Sequence, residues 1–255
     1  MTKLFDLTGK TALITGGNGG IGLAFATALA DAGANISIWG TNEDKNKAAL
    51  ASLEAKGIKA SAQKVDVSNE AAVDDAFAED INTFGQIDSV FANAGIGYGA
   101  NQFTKLETDA YRKVMAVNVD GVFFTMRAAC RHMTQRPGGG SLVAVASLAA
   151  LEGAGFNEHY GASKGAVASM IRAISVEHAR WGIRANTIAP GWIATDMTAG
   201  SQGSDKFNEK VISRVPIRRW GEPEDFAGVA VYLASDASSF HTGDTFVIDG
   251  GYSIF

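Results

Sequence analysis

Short apolar runs alternate along this chain with longer stretches whose apolar residues recur at three- and four-residue spacing. The first run, residues 10–15 (KTALIT), breaks into a glycine-rich turn, and a helical pattern follows that closes at Gly33. The same reading predicts further strands at 35–39, 60–65, 87–91, 142–146, 183–189 and 245–248. Between them it predicts helices over 43–56, up to Phe84, over 107–135, from Tyr160 to near Gly182, and over 223–234. Seven strands separated by helices imply right-handed βαβ units, and so an α/β, doubly wound parallel sheet covered by helices on both faces. No linker, repeat or low-complexity tract interrupts the pattern, so residues 1–255 are expected to form one domain. Residues 192–210 are polar, small and weakly patterned. Beyond the carboxyl end of a strand, such a stretch reads as a substrate lid at about 192–214, or equally as a mobile surface loop.

Composition narrows the classes of partner. A chain that is 46% hydrophobic can bury a large core, and thirty glycines with four prolines suit tight strand-to-helix turns. The net charge of -5 argues against nucleic acid as principal partner. A single cysteine, Cys130, excludes an intrachain disulfide and fits a reducing compartment; within its apolar helical pattern it reads as buried filler rather than a nucleophile. The start lacks the apolar stretch of a signal peptide and no 18-residue apolar run occurs, which predicts a soluble cytoplasmic protein without a membrane partner. His132, His159, His178 and His241 show no metal-ligand spacing, so no metal site is expected.

The turn after the first strand carries Gly16, Asn18, Gly19, Gly20, Ile21 and Gly22. Strand, glycine turn and helix together are the context a nucleotide fingerprint requires: glycine lets backbone N–H groups approach a pyrophosphate, and the helix N-terminus favours its negative charge. The bland alternative is a plain glycine-rich connection. At the end of the second strand, a carboxylate would select NAD by holding both adenosine ribose hydroxyls, and a cation would favour the 2′-phosphate of NADP. Gly40 and Thr41 supply neither, while Thr41, Asn42 and Lys45 can donate to a phosphate; the reading is an NAD(P)(H) cofactor, with NADP(H) favoured. Asp66, with Val67 beside it, and Asn93, with Ala94 and Gly95, close the third and fourth strands where a ribose would pass, or else serve as helix caps and turns.

The chemical centre is expected between Ser147 and Lys164. Tyr160 and Lys164 are four apart on a helical pattern and so share a face. A phenol titrates near about 10, and a cation within about 4–6 Å lowers that value. Tyr160 beside Lys164 is therefore a candidate general acid/base for alcohol and ketone interconversion, with Ser147 able to hydrogen-bond the reacting oxygen. Taken alone, a tyrosine and a lysine at this spacing are often a surface pair. Asn118, mid-helix in an apolar setting, marks a structural water, a kink or part of a proton path.

Taken together these residues resemble the short-chain dehydrogenase/reductase family, in its form of about this length, over nearly the whole chain. The resemblance rests on TGxxxGxG as Thr15, Gly16, Gly20 and Gly22, on NAG as Asn93, Ala94 and Gly95, on Asn118, on Ser147 thirteen residues before Tyr160, on Lys164, and on Pro190 with Gly191. It implies a Rossmann-type sheet of order 3-2-1-4-5-6-7 with a nicotinamide cofactor across its carboxyl edge. Tyr160 would be the acid/base, Ser147 would polarise the substrate oxygen, Lys164 would hold the nicotinamide ribose and lower the phenol's pKa, and Asn118 would hold a water in a proton relay. Asp66 and Val67 would border adenine, Asn93 the adenosine-side ribose region, and Ile193 and Thr195 the carboxamide. Family members are often homotetramers, packing the two long helices and the C-terminal strand against copies of themselves. This chain departs at Gly19, where many NADP-preferring relatives carry a basic residue, and at Ala92, where the family often has asparagine. Two other readings remain, a nucleotide-sensing module without catalysis and a lyase or epimerase that uses bound cofactor. Tyr98, Glu152, Phe156, Asn157, Glu158, His159, Trp192 and Met197 are candidates to line the pocket. The small residues Ala149, Ala150, Gly153, Ala154 and Gly155 leave room near Ser147 for a bulky or cyclic ketone.

Overall fold

Along each central strand, successive side chains enter two separate apolar cores, which is the two-residue period of a strand buried on both faces. Leu13, Val90 and Leu142 join one core; Ile14, Phe91 and Val143 join the other. The computed structural model describes residues 3–97 and 102–255, so Tyr98 lies outside the described residues. Its strands are β1 (Thr11–Thr15), β2 (Asn35–Gly40), β3 (Ala60–Lys64), β4 (Ser89–Ala92), β5 (Gly140–Val145), β6 (Ile183–Pro190) and β7 (Thr245–Ile248). All pair in parallel, in the order β3-β2-β1-β4-β5-β6-β7. Strand order reverses between β1 and β4, and a ligand crevice forms beyond the carboxyl ends of the strands at such a switch.

Helices α1 (Gly20–Asp31), α2 (Glu43–Glu54) and α9 (Ala227–Ala234) cover one face, through Phe25, Leu29, Leu53 and Leu233. On the other lie α3 (Glu70–Phe84), α4 (Thr108–Met115), α5 (Gly121–Thr134) and α6 (Glu158–His178), with Phe77, Met126, Val167 and Ile171 facing inward. Phe25 packs on Phe91 at 5.1 Å between centroids and edge-on to Phe226 at 6.4 Å, so truncating any of the three would cost about 3–5 kcal/mol. The long helix expected over 107–135 is interrupted by a π-helical stretch, Ala116–Asp120, which holds Asn118. The segment expected to be unpatterned is also ordered: a short 3-10 turn at Asp196–Thr198 leads into α7 (Ala199–Gln202) and α8 (Asp205–Ile212). Ser204 caps α8 by accepting from Phe207 N, and Val211 is buried, anchoring a helix too short to show a clear period in sequence.

Candidate active site

The glycine turn is shaped by contact. Gly16 (φ 64°) and Gly20 (φ 50°) occupy the left-handed region, which glycine adopts without the Cβ penalty. A Cβ at Gly22 would lie 2.2 Å from the Gly16 carbonyl oxygen and 2.5 Å from Asn93 Nδ2, so only glycine allows α1 to start so close to the turn. Asn93 is what holds the turn: its amide donates to the carbonyls of Thr15 (3.0 Å) and Gly16 (3.2 Å), while Thr15 Oγ1 accepts from the backbone N–H of Asn93 and of Ala94. Thr15 in this bracing role escaped the sequence reading. At the N-cap of α1, Gly19 offers no side-chain cap, and a Cβ built there would meet nothing within 4 Å. Open space in front of the N–H groups of a helix N-terminus fits the pyrophosphate of a dinucleotide.

At the end of β2 the structure has a lattice of asparagines. Asn18 Nδ2 donates to Asn46 Oδ1 (2.7 Å), and Asn46 Nδ2 donates to the carbonyls of Gly40 and Gln63, both at 3.0 Å. Asn42 caps α2 by accepting from Lys45 N at 3.0 Å. Asn46 is buried and went unnoticed, because α2 reads polar along its length. Thr41 is exposed. At the end of β3, Asp66 is exposed and accepts from Ser68, a turn role, whereas Val67 is buried against Gly121. Beyond β6, Gly191 N donates to Ile248 O, Ile193 is buried and bridges to Gly221, and the Thr195 methyl would touch a Cβ at Gly20 at 3.3 Å.

The remaining candidates meet at the ends of β4 and β5 and on α6. Gly161 brings α6 against the turn Leu148–Ala150, where a Cβ would lie 3.0 Å from Ala149 O, and this approach sets Tyr160 within hydrogen-bonding reach of Ser147. The Ser147 hydroxyl also accepts from Ala149 N. Lys164 is buried, with Nζ donating to Val145 O at 2.8 Å and lying 5.6 Å from the Tyr160 ring centroid. Asn118 accepts from Ile96 N at 2.8 Å and donates to Ile96 O and Ser163 Oγ, both at 3.0 Å; Ser163 in turn donates to Tyr160 O. Both amide protons of Asn118 are thus used in clamping the Gly95–Gly97 loop to α6, and Ser163 is a further member of the site that the spacing did not reveal.

One electrostatic expectation is corrected. Burial raises the Tyr160 phenol above its ordinary value, and the hydrogen bond with Ser147 opposes that rise; Lys164 does not make the phenol acidic here. The physical reason is that tyrosine and lysine lie in the same poorly solvated pocket, so each charged form is penalised. Burial likewise pushes Lys164 down to about 8. At neutral pH the pocket therefore holds a protonated phenol and a largely protonated lysine.

Among the other candidates, His159 is buried, while Phe156 and Met197 are exposed, Phe156 with a strained φ of 66°. Glu158 accepts from Phe156 N, and Trp192 packs edge-on to Phe207, Trp220 and Tyr252. Gly153 and Gly155 face open space. Among the described residues no group of three or more His, Cys, Asp or Glu side chains could hold a metal, and no helix is long and apolar enough to cross a membrane.

A doubly wound sheet with such a turn at its switch point is that of the dinucleotide-binding α/β proteins. Comparison with known proteins narrows the class. Residues 16–253 match the family model described as enoyl-(acyl carrier protein) reductase. Gluconate 5-dehydrogenase of Gluconobacter oxydans is 37% identical, the match covering 98% of this chain and 97% of that one. L-rhamnose 1-dehydrogenase (NAD(P)(+)) of a Sphingomonas species is 35% identical over 96% of each. The crystal structure of a gluconate 5-dehydrogenase from Burkholderia cenocepacia in complex with NADP and tartrate superposes with a TM-score of 0.94 at 36% identity, covering 99% of this chain and 98% of that one. The chain belongs to the short-chain dehydrogenase/reductase family, and it is an NAD(P)-dependent oxidoreductase that interconverts an alcohol and a carbonyl on a small-molecule substrate.

Proposed function

We propose that this protein reversibly reduces the ketone of a polyhydroxylated, sugar-type substrate, with Tyr160, Ser147, Lys164 and Asn118 as its working residues and NADP(H) as its preferred cofactor. The observation that carries the assignment is the convergence of the Ser147 hydroxyl and the buried Lys164 on Tyr160. When bound, the nicotinamide supplies or accepts the hydride. Tyr160 in its protonated form donates to the carbonyl oxygen as that oxygen gains charge, and takes the proton back in the oxidation. Ser147 donates a hydrogen bond to the same oxygen. Lys164 contributes positive charge beneath the phenol, with protons beyond the one held by Val145 available to ribose hydroxyls. Asn118 fixes the loop that passes over the lysine, and would hold a relay water. General acid/base help of this kind is worth about 10²–10⁴ in rate.

The turn residues from Gly16 to Gly22, Gly40 to Asn42, Asp66, Val67, Asn93 to Gly95, Pro190, Gly191, Ile193 and Thr195 would line the cofactor groove, and the segment 192–214 would close over the substrate. Glu152, Asn157 and Glu158 offer polar groups to substrate hydroxyls, whereas His159 is buried, and the gluconate and rhamnose enzymes among the relatives support that class. The absence of a carboxylate at Gly40 and Thr41, with the Lys45 ammonium close by, favours NADP. Exposed apolar side chains on α5 (Phe123), α6 (Val176) and β7 (Val247) support assembly as a homotetramer, checked by light scattering. A buried, unpaired Cys130 with its thiol pushed up to about 11 by burial supports a reducing, cytoplasmic setting. The decisive test is Tyr160→Phe: NADPH should bind within about twofold of wild type while turnover on a panel of keto-sugars, keto-acids and cyclic ketones falls at least about a hundredfold. Unchanged turnover refutes the assignment, and turnover confined to non-hydroxylated ketones refutes the substrate class.

A further inference from the structure

An ion pair joins two elements that sequence separates by 151 residues: Lys45 Nζ lies 2.6 Å from Asp196 Oδ2. Lys45 is the third residue of α2, its backbone N–H fixed by Asn42, so its ammonium starts from the end of β2 where the adenosine ribose of a dinucleotide lies. Asp196 follows Thr195, whose methyl group touches the position of a Gly20 Cβ, so the carboxylate stands beside the glycine turn. The pair therefore ties the start of α2, at the adenosine end of the groove, to the segment beyond β6. Both side chains are largely solvated, 52% and 88% exposed, so the bond is weak and exchangeable.

The surroundings favour exchange for a phosphate. A side chain at Gly40 is excluded, since its Cβ would lie 2.2 Å from Asn18 Nδ2, and the place from which a carboxylate would clasp the ribose hydroxyls is filled by a neutral amide. Glu43, the first residue of α2, is held by Lys64 at 2.8 Å and so is turned to another cation. The glycine turn itself carries no cation.

Resting on the reading of the groove as an NADP(H) site, we propose that Lys45 is the residue that recognises the 2′-phosphate, and that Asp196 is its internal competitor. Lys45 exchanges a monoanionic carboxylate for a phosphate of higher charge, and Asp196, the first residue of the turn that opens the 192–214 segment, is released. Cofactor choice and the hold on that segment are thereby coupled through one side chain.

The test is a double-mutant cycle read by fluorescence titration of NADPH and NADH binding to the full chain, without substrate. Lys45→Gln should weaken NADPH about tenfold and leave NADH within about twofold. Asp196→Asn should tighten NADPH a few-fold in the wild-type background and have no effect in the Lys45→Gln background. Equal loss for both cofactors, or an Asp196→Asn effect that persists without Lys45, overturns the proposal while leaving the NAD(P) reading intact. Failure of the wild type to bind either cofactor overturns both.

Discussion

Lys164 has opposed effects on folding and on chemistry, and substituting methionine separates them. Its ammonium is buried, and burial lowers its pKa from 10.5 to about 8. A difference of about 2.5 pH units corresponds to about 3 kcal/mol by which the folded state penalises the charge. Below pH 8 both folded and unfolded chains carry the proton, and the folded state bears the whole penalty. Between about 8 and 10.5 only the folded chain releases it, so the penalty fades as pH rises. Lys164→Met removes it at every pH but leaves Val145 O without its 2.8 Å donor, at a cost of about 1–3 kcal/mol. At pH 7 the variant should accordingly be as stable as wild type or up to about 2 kcal/mol more so, while turnover falls about a hundredfold or more. Urea unfolding of both proteins at pH 7, 8, 9 and 10 measures the difference, which should move in favour of wild type by roughly 2.5 kcal/mol between pH 8 and 10. Other lysines cancel in that comparison. A difference that stays flat over this range would refute the argument that a charged lysine is buried here.

The raised phenol and lowered lysine also set the pH dependence of catalysis. Ketone reduction, which uses protonated Tyr160, should be level from pH 6 to about 8 and decline above as Lys164 loses charge, whereas alcohol oxidation should climb with pH; initial rates in both directions from pH 6 to 10 check this, and a reduction rate rising above pH 8 contradicts it. Gly22→Ala forces a methyl group onto backbone at the Gly16 carbonyl, so dinucleotide binding should weaken at least about tenfold with a loss of about 1–3 kcal/mol in stability, measured by titration and thermal melting. Buried Asp80 on α3 accepts from Ser37, Trp39 and Gln63, yet burial pushes it up to about 6. The folded chain then binds a proton before the unfolded one, so relative to Asp80→Asn the wild type should gain about 3 kcal/mol as pH falls from about 6 to 4; urea midpoints at pH 7 and 4.5 that shift in parallel would contradict this.

What could be read from sequence was local. The two-residue period, the helical spacing and the glycine turn each depend on neighbours a few positions away; connectivity and handedness gave the parallel, doubly covered sheet, while the strand order came from the family resemblance and agrees with the structure. What escaped was set across long separations. The direction of the Tyr160 shift depends on how completely α6, β5 and the turn after Ser147 exclude water, and no spacing encodes that. The asparagines show the same limit with a physical rule inside it. Asn93 Nδ2 lies where Cβ atoms on Gly16 and Gly22 would fall, Asn18 Nδ2 where one on Gly40 would fall, and Asn118 Oδ1 beside that of Gly95. Each glycine vacates a position that an amide from a distant segment then fills, and each amide bonds backbone or a second amide. A carboxylate of the same length could not donate to the carbonyls at these strand ends and would add negative charge to a groove built for an anion; a glutamine would overreach by one methylene. The glycine is visible in sequence as a turn signal, Asn118 as an unfavourable residue in its helix, and Asn18 and Asn93 as ordinary turn residues. Only the fold shows that the two are one device, and it follows that Asn93→Asp should harm the groove as severely as Gly22→Ala.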